Sequence, residues 1–239
     1  MIENKLRVDR ARFIVFEGLD GAGKSTQIRM LIDYFARRQV NHKLVHFPRI
    51  SEGIIGEMIA KFLRGEFGKA SDINPYFVAM MYAQDRNNAK YYLAEYMENY
   101  QYLIVDRYVY SNIAFQCAKI NGESQKEELR DWILKLEYEN NALLKPDITL
   151  YLKVPFDRIK YTLSRSRNGE DREYLKGNPD IHENDLVLQK RVEDEYLKLA
   201  AIDTSFKIID CGDLDNQLLR PAAINDAIIQ LLAMLYGDI

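Results

Sequence analysis

At 239 residues and 28.0 kDa, the chain is long enough for one α/β domain or two very small ones. Its 47% hydrophobic and 29% charged residues are those of an ordinary globular protein, and a net charge of −3 argues against sequence-blind binding to nucleic acid or anionic membrane. Any anion held by this protein must be held locally.

The charged opening MIENKLRVDRAR precedes an apolar run too short for a signal peptide. No run reaches the length of a membrane span, so the cytoplasm is the expected location. RFIVFE (12–17) reads as a buried strand and STQIRMLIDYFARR (25–38) as a helix. HKLVHF (42–47) is strand-like and stops at Pro48, which cannot donate to a ladder. A helix follows over 53–65, ending at Gly65, and then a long one over 74–100 with Asn74 as cap and Pro75 in its first turn. YLIVDRY (102–108) is a strand with charge at its exit, followed by helices over 109–119 and 125–141. DITLYLKV (147–154) is a strand, 155–167 a helix, and 168–185 a polar stretch without apolar period. A helix over 186–200, the strand FKIID (206–210) and an apolar tail helix interrupted by Asn225 and Asp226 complete the chain. Cys117 and Cys211 lie far apart, outside metal-ligand spacing, and read as buried thiols in a reducing compartment.

Five buried strands separated by helices predict a parallel sheet covered on both faces, in one domain spanning 1–239. Ligands of such sheets gather at the carboxyl ends of the strands. The loop after the first strand, Gly18 to Ser25, satisfies G-x-x-x-x-G-K-[ST] between strand and helix, which is the context the pattern needs. Glycines let successive N–H groups point inward, and the following helix adds its positive end. Gly18, Leu19, Asp20, Gly21, Ala22, Gly23, Lys24, Ser25 and Thr26 are thus the expected cradle for a nucleoside triphosphate. Lys24 would reach the β- and γ-phosphates, and Ser25 would hold Mg²⁺.

No guanine-reading N-K-x-D follows a later strand, which argues against a GTPase. Arg49 and Arg107 stand just beyond strands two and three, at the same sheet edge as the loop, and together suit a bidentate clamp on a second phosphate. Either one alone would be unremarkable as a surface ion pair. Tyr82 and Arg86, at i and i+4 of the long helix, share a face that could stack on a base and bond its edge, a spacing that core aromatics beside surface cations also show.

With FEGLDGAGKST, FPR, YAQDR, DRYVYSNIAFQ and KPDITLYL in this order, the chain from about residue 12 to 210 resembles the thymidylate kinase family. The resemblance implies the P-loop nucleoside monophosphate kinase fold, a five-stranded parallel sheet of order 2-3-1-4-5. It also implies transfer of the γ-phosphoryl group of ATP to dTMP with Mg²⁺, by a homodimer formed through helix faces. On this reading Asp20 bonds the acceptor sugar or orders the metal shell, and Pro48, a cis-proline after Phe47, turns Arg49 toward the acceptor phosphate. Tyr82 takes the place of a phenylalanine stacked on thymine, and Arg86 reaches the base O4. Asp106 lies near the metal or its water, and Arg107 holds the acceptor. Ser111 and Asn112 border the acceptor, Asn112 on the pyrimidine edge, and Phe115 crowds the sugar 2′ position.

Gly21 after Asp20, with Arg165, Arg167 and Arg172 in a lid over about 165–185, resembles the mainly bacterial variant whose catalytic arginines lie in the lid. His182 and Glu183 fall where members commonly have a nucleotide-contacting residue, His182 departing from their usual type. The rival readings are a kinase for another nucleotide or a deoxynucleoside, and a P-loop binding module without phosphotransfer. A deoxynucleoside kinase needs a carboxylate to take the hydroxyl proton, where this chain offers arginines.

Overall fold

The computed structural model describes residues 11–70, 72–164, 175, 180–182 and 185–237. Its sheet contains β1 (Arg12–Glu17), β2 (His42–His46), β3 (Tyr102–Asp106), β4 (Ile148–Lys153) and β5 (Phe206–Asp210). They lie in the order 2-3-1-4-5, and every pair is parallel. Parallel strands need crossovers, and the crossovers put helices on both faces. That is why β1 and β3 read as unbroken apolar runs, with Phe13, Ile14, Leu103 and Ile104 wholly excluded from solvent. The edge strands β2 and β5 are only partly buried.

The helices are α1 (Lys24–Arg37), α2 (Gly53–Leu63), α3 (Pro75–Asn99), α4 (Val109–Cys117), α5 (Glu123–Leu134), α6 (Phe156–Ser164), α7 (Leu186–Ile202) and α8 (Pro221–Tyr236). Asn74 caps α3 as expected, its side chain accepting from Tyr76 N–H at 2.9 Å, with Pro75 at the first position. The polar interruption in the tail helix also has a reason. Asn225 is buried and donates to the Gln27 backbone carbonyl at 3.0 Å and to its side-chain oxygen at 3.1 Å, while Gln27 donates to Pro221 O. These bonds fix α8 to α1. Cys117 and Cys211 are free, buried thiols.

Most elements fall within two residues of the expected bounds, and two of the differences have a visible local cause. Strand three stops at Asp106 because Arg107 enters the left-handed region, φ 64°, a conformation that costs a non-glycine residue about 1–3 kcal/mol. The helix expected over 125–141 begins at Glu123 and becomes a π-helical turn at Lys135–Asn140. A wider turn rotates side chains relative to an α-helix, and here it carries Glu137 to zero exposure.

At the end of β1, Glu17 is also wholly buried. Its carboxylate accepts from the backbone N–H of Tyr108 (2.9 Å) and Ser111 (3.0 Å), from the Ser111 hydroxyl, and from the Tyr196 hydroxyl (2.8 Å). One anion thereby ties β1, α4 and α7 together. Replacing Glu17 by Ala strands those buried donors, and urea unfolding should show a loss of about 2–5 kcal/mol. A loss below about 0.5 kcal/mol, typical of a surface substitution, would refute this role.

Candidate functional site

The carboxyl ends of β1, β2 and β3 open onto a cleft of about 1030 Å³. In its P-loop wall, Gly21 and Gly23 have φ of 79° and 80°. A Cβ at Gly21 would also stand 3.0 Å from Thr162 Cγ2, so a larger residue there is opposed by both backbone and α6. Lys24 opens α1 with its side chain curled into the loop, donating to Gly18 O (3.1 Å) and Leu19 O (3.0 Å). Burial, then the nearby Arg107 guanidinium, push its ammonium down to about 8. Ser25 lies in the first turn of α1 and lines the cleft, whereas Thr26 is exposed and does not line it.

Across the cleft, the left-handed Arg107 swings its guanidinium back over the P-loop. It pairs with Asp20, donates to Ser111 Oγ at 3.3 Å, and lies 5.4 Å from the centre of the Phe115 ring. Burial alone would push Asp20 up, but Arg107 and Lys24, with a bond from Gln189, hold its carboxyl below the usual range. Gln189, on α7, donates to Asp20 Oδ2 (2.8 Å) and to His182 O (3.2 Å). Asp106 takes a bond from His46 Nδ1 at 3.2 Å on Oδ2, while its buried Oδ1 has no partner among the described residues. An orphaned carboxylate oxygen and the Ser25 hydroxyl in one cleft are the hard donors that Mg²⁺ takes, alongside phosphate oxygens and water. No cluster of three or more His, Cys, Asp or Glu able to cage a metal occurs among the described residues.

Farther along, Phe47 and Pro48 line the cleft through a cis peptide bond. Tyr82 stands edge-on to Phe62, ring centres 6.4 Å apart, and Arg86, Asn112 and Phe115 complete this wall. Arg86 is buried and held in a two-point ion pair by Glu137, Nε to Oε2 at 2.6 Å and Nη2 to Oε1 at 2.5 Å. His182 is buried between the Phe62 and Phe115 rings, and burial pushes its imidazole down to about 3, so it is neutral at physiological pH.

One expected partner is elsewhere. Arg49 does not line this cleft, so the two-arginine clamp is not assembled. Its guanidinium donates to Asp85 Oδ1 (3.1 Å) and Asp85 O (2.9 Å) and pairs with Glu52 at 2.6 Å. Asp85 is a buried carboxylate needing a cation, and it also accepts from Arg49 N–H at 2.8 Å, which fixes the turn. Arg165, Arg167, Arg172 and Glu183 lie outside the described residues. Sequence reasoning missed Glu17, Glu137, Gln189, His46, and the cleft-lining Lys61 of α2 and Arg64 just after it. Of these, Glu17 carried a signal, as a charge closing the apolar run FIVF.

The thymidylate kinase family profile matches residues 16–219. The chain belongs to the thymidylate kinase family. Among curated members of the family, the thymidylate kinase of Mycobacterium tuberculosis H37Rv is 31% identical over 188 residues, covering 79% of this chain and 85% of that protein. The Plasmodium falciparum family member is 30% identical over 217 residues, covering 88% and 89%. The solved structure of the Candida albicans thymidylate kinase superposes with a TM-score of 0.71 at 23% identity, over 95% of this chain and 93% of that one. That likeness bears on the fold.

If Lys24 is depressed to about 8 in the free protein, an incoming polyphosphate must restore its charge. A nucleoside triphosphate binding slightly above that pH should therefore take up protons. Calorimetry in two buffers of different ionisation enthalpy reads this directly, and identical heats would refute the depressed lysine.

Proposed function

We propose that this chain transfers the γ-phosphoryl group of ATP to dTMP, yielding dTDP and ADP. The reading rests on a single arrangement: Lys24 and Arg107 line one cleft, Lys24 from the glycine loop after β1 and Arg107 from the end of β3. A phosphate monoester has a second pKa of about 6, so the acceptor is mostly a dianion at neutral pH and attacks without a protein base. The obstacle is repulsion between two anions that must meet in line, and catalysis is positioning and charge compensation. Lys24 and the P-loop N–H groups hold the donor, Arg107 holds the acceptor, and Tyr82 and Phe115 flank its base and sugar. Ser25 and Asp106 would hold Mg²⁺, which supplies positive charge to the donor phosphates. Arg165, Arg167 and Arg172 remain the proposed lid arginines of the segment 165–185.

Acceptor binding requires an exchange of partners. Arg107 is engaged by Asp20, and an incoming phosphate takes up guanidinium N–H groups that bond Asp20 and Ser111. Arg49 would join only by freeing Nη1 from Glu52, its solvent-exposed partner, while Asp85 keeps the Nε and Nη2 groups.

No helix among the described residues is long and apolar enough to cross a membrane. The cytoplasm is the location we propose, as the family resemblance implies. We also propose a homodimer through α3, where Phe77 and Tyr91 are 66% and 77% exposed in the single chain and Met80 shares their stripe.

A panel of nucleosides and nucleoside monophosphates with ATP and Mg²⁺ tests the assignment. dTMP should be the preferred acceptor; preference for a nucleoside, or no ADP with any acceptor, overturns it. Lys24→Ala should lower turnover by about 10³-fold or more in a protein that still folds. Arg107→Ala should raise the KM for dTMP at least about tenfold more than that for ATP. Equal losses for the two substrates would remove Arg107 from the acceptor site.

A further inference from the structure

Glu137 belongs to no sequence motif of the site, yet its carboxylate touches two of the groups that face the base. Oε1 accepts from Arg86 Nη2 (2.5 Å) and from Asn112 Nδ2 (2.9 Å), and Oε2 accepts from Arg86 Nε (2.6 Å). Asn112 Nδ2 also donates to the Ala79 carbonyl at 2.9 Å. Both neighbours of that nitrogen are pure acceptors, so the amide cannot be reversed without setting oxygen against oxygen twice. Its Oδ1 is consequently the atom left over, and it is buried and has no partner among the described residues. All three residues are at least nine-tenths buried, and Arg86 and Asn112 line the cleft.

We propose that Glu137 is a positioning residue that sets the hydrogen-bonding sense of the base site: it holds Asn112 as an acceptor and Arg86 as a donor. The proposal rests on the reading of the cleft as a pyrimidine nucleotide site. A thymine-type edge offers an N3–H donor beside an O4 acceptor and matches both groups. A cytosine edge offers an N3 acceptor beside an N4 amino donor, and meets acceptor with acceptor and donor with donor. A site built in this way rejects the wrong edge because its buried polar groups are left unpaired. The π-helical turn Lys135–Asn140 is what brings the carboxylate to this depth, and turns of this kind are frequent at functional sites.

Glu137→Gln supplies an amide that can donate to Asn112 Oδ1, so one of the two acceptors that fix the Asn112 amide is lost and only the Ala79 carbonyl still opposes its reversal. The expected result is a fall of about tenfold or more in the ratio of kcat/KM for dTMP over dCMP, with the KM for ATP unchanged. The ratio for dTMP over dUMP should stay put, because the 5-methyl group is not read through Glu137. Glu137→Asp keeps the charge opposite Arg86 and should fold, but its shorter stem cannot serve both partners, so it should show the same loss to a smaller degree. A merely structural role would lower all acceptors together. An unmoved dTMP:dCMP ratio in folded variants therefore overturns the proposal. Should both variants fail to fold, the wild type decides: Asn112 side-chain amide protons should exchange far more slowly than free amides, and free exchange overturns the proposal. Wild-type failure to phosphorylate dTMP sinks the functional assignment; wild-type turnover with an unmoved ratio in the variants sinks only the role of Glu137.

Discussion

The cleft depends on register. Phe16, the residue before Glu17, is level with Asp106, and His46 is level with the same Asp106 on the other side. Three strands therefore end together, and whatever follows each must turn over the same edge. The glycine loop does so after β1, Arg107 after β3, and Phe47 with its cis-linked Pro48 after β2. A shift of one residue in β3 would send Asp106 and its neighbours to opposite faces of the sheet. Glu17 guards that alignment from beneath, because its carboxylate spans from the end of β1 to the start of α4.

Each cation of this region has a partner within the protein. Arg107 rests on Asp20, Arg49 on Asp85 and Glu52, Arg86 on Glu137, and Lys24 on the carbonyls of its own loop. Such pairing offsets the cost of withdrawing several guanidiniums from water in close quarters. It also sorts them. Arg86 is paired at two points with a carboxylate of zero exposure, whereas Arg107 pairs with the partly exposed Asp20 and Lys24 bonds only neutral carbonyls. On the proposed function, the first suits the reading of a neutral base and the others suit phosphate.

Much of the frame was legible in the amino-acid order because its signals are local. An apolar run, a glycine-lysine loop and a helical period placed β1, the P-loop and α1 to within a residue. Asn74 with Pro75 gave the start of α3 for the same reason. The partners of the charges were not legible. Arg86 meets Glu137 across 51 positions, Arg49 meets Asp85 across 36, and Gln189 reaches Asp20 across 169. Nothing in a seven-residue window encodes such meetings. The left-handed Arg107 was equally silent, since that conformation is marked in sequence only when a glycine occupies it. Arg49 looked like half of a clamp because its position beyond β2 was legible and its attachment to Asp85 was not.

The bonds between Gln27 and the final helix reach beyond packing. Gln27 sits three places after Lys24 on the same helix, and its side chain and backbone carbonyl are both engaged by α8, through Pro221 and Asn225. The last helix is thus a footing for the helix that carries Lys24 and the glycine loop before it. A cut or a bulky fusion near residue 221 would be felt first as weakened nucleotide affinity, in a molecule whose sheet is still intact.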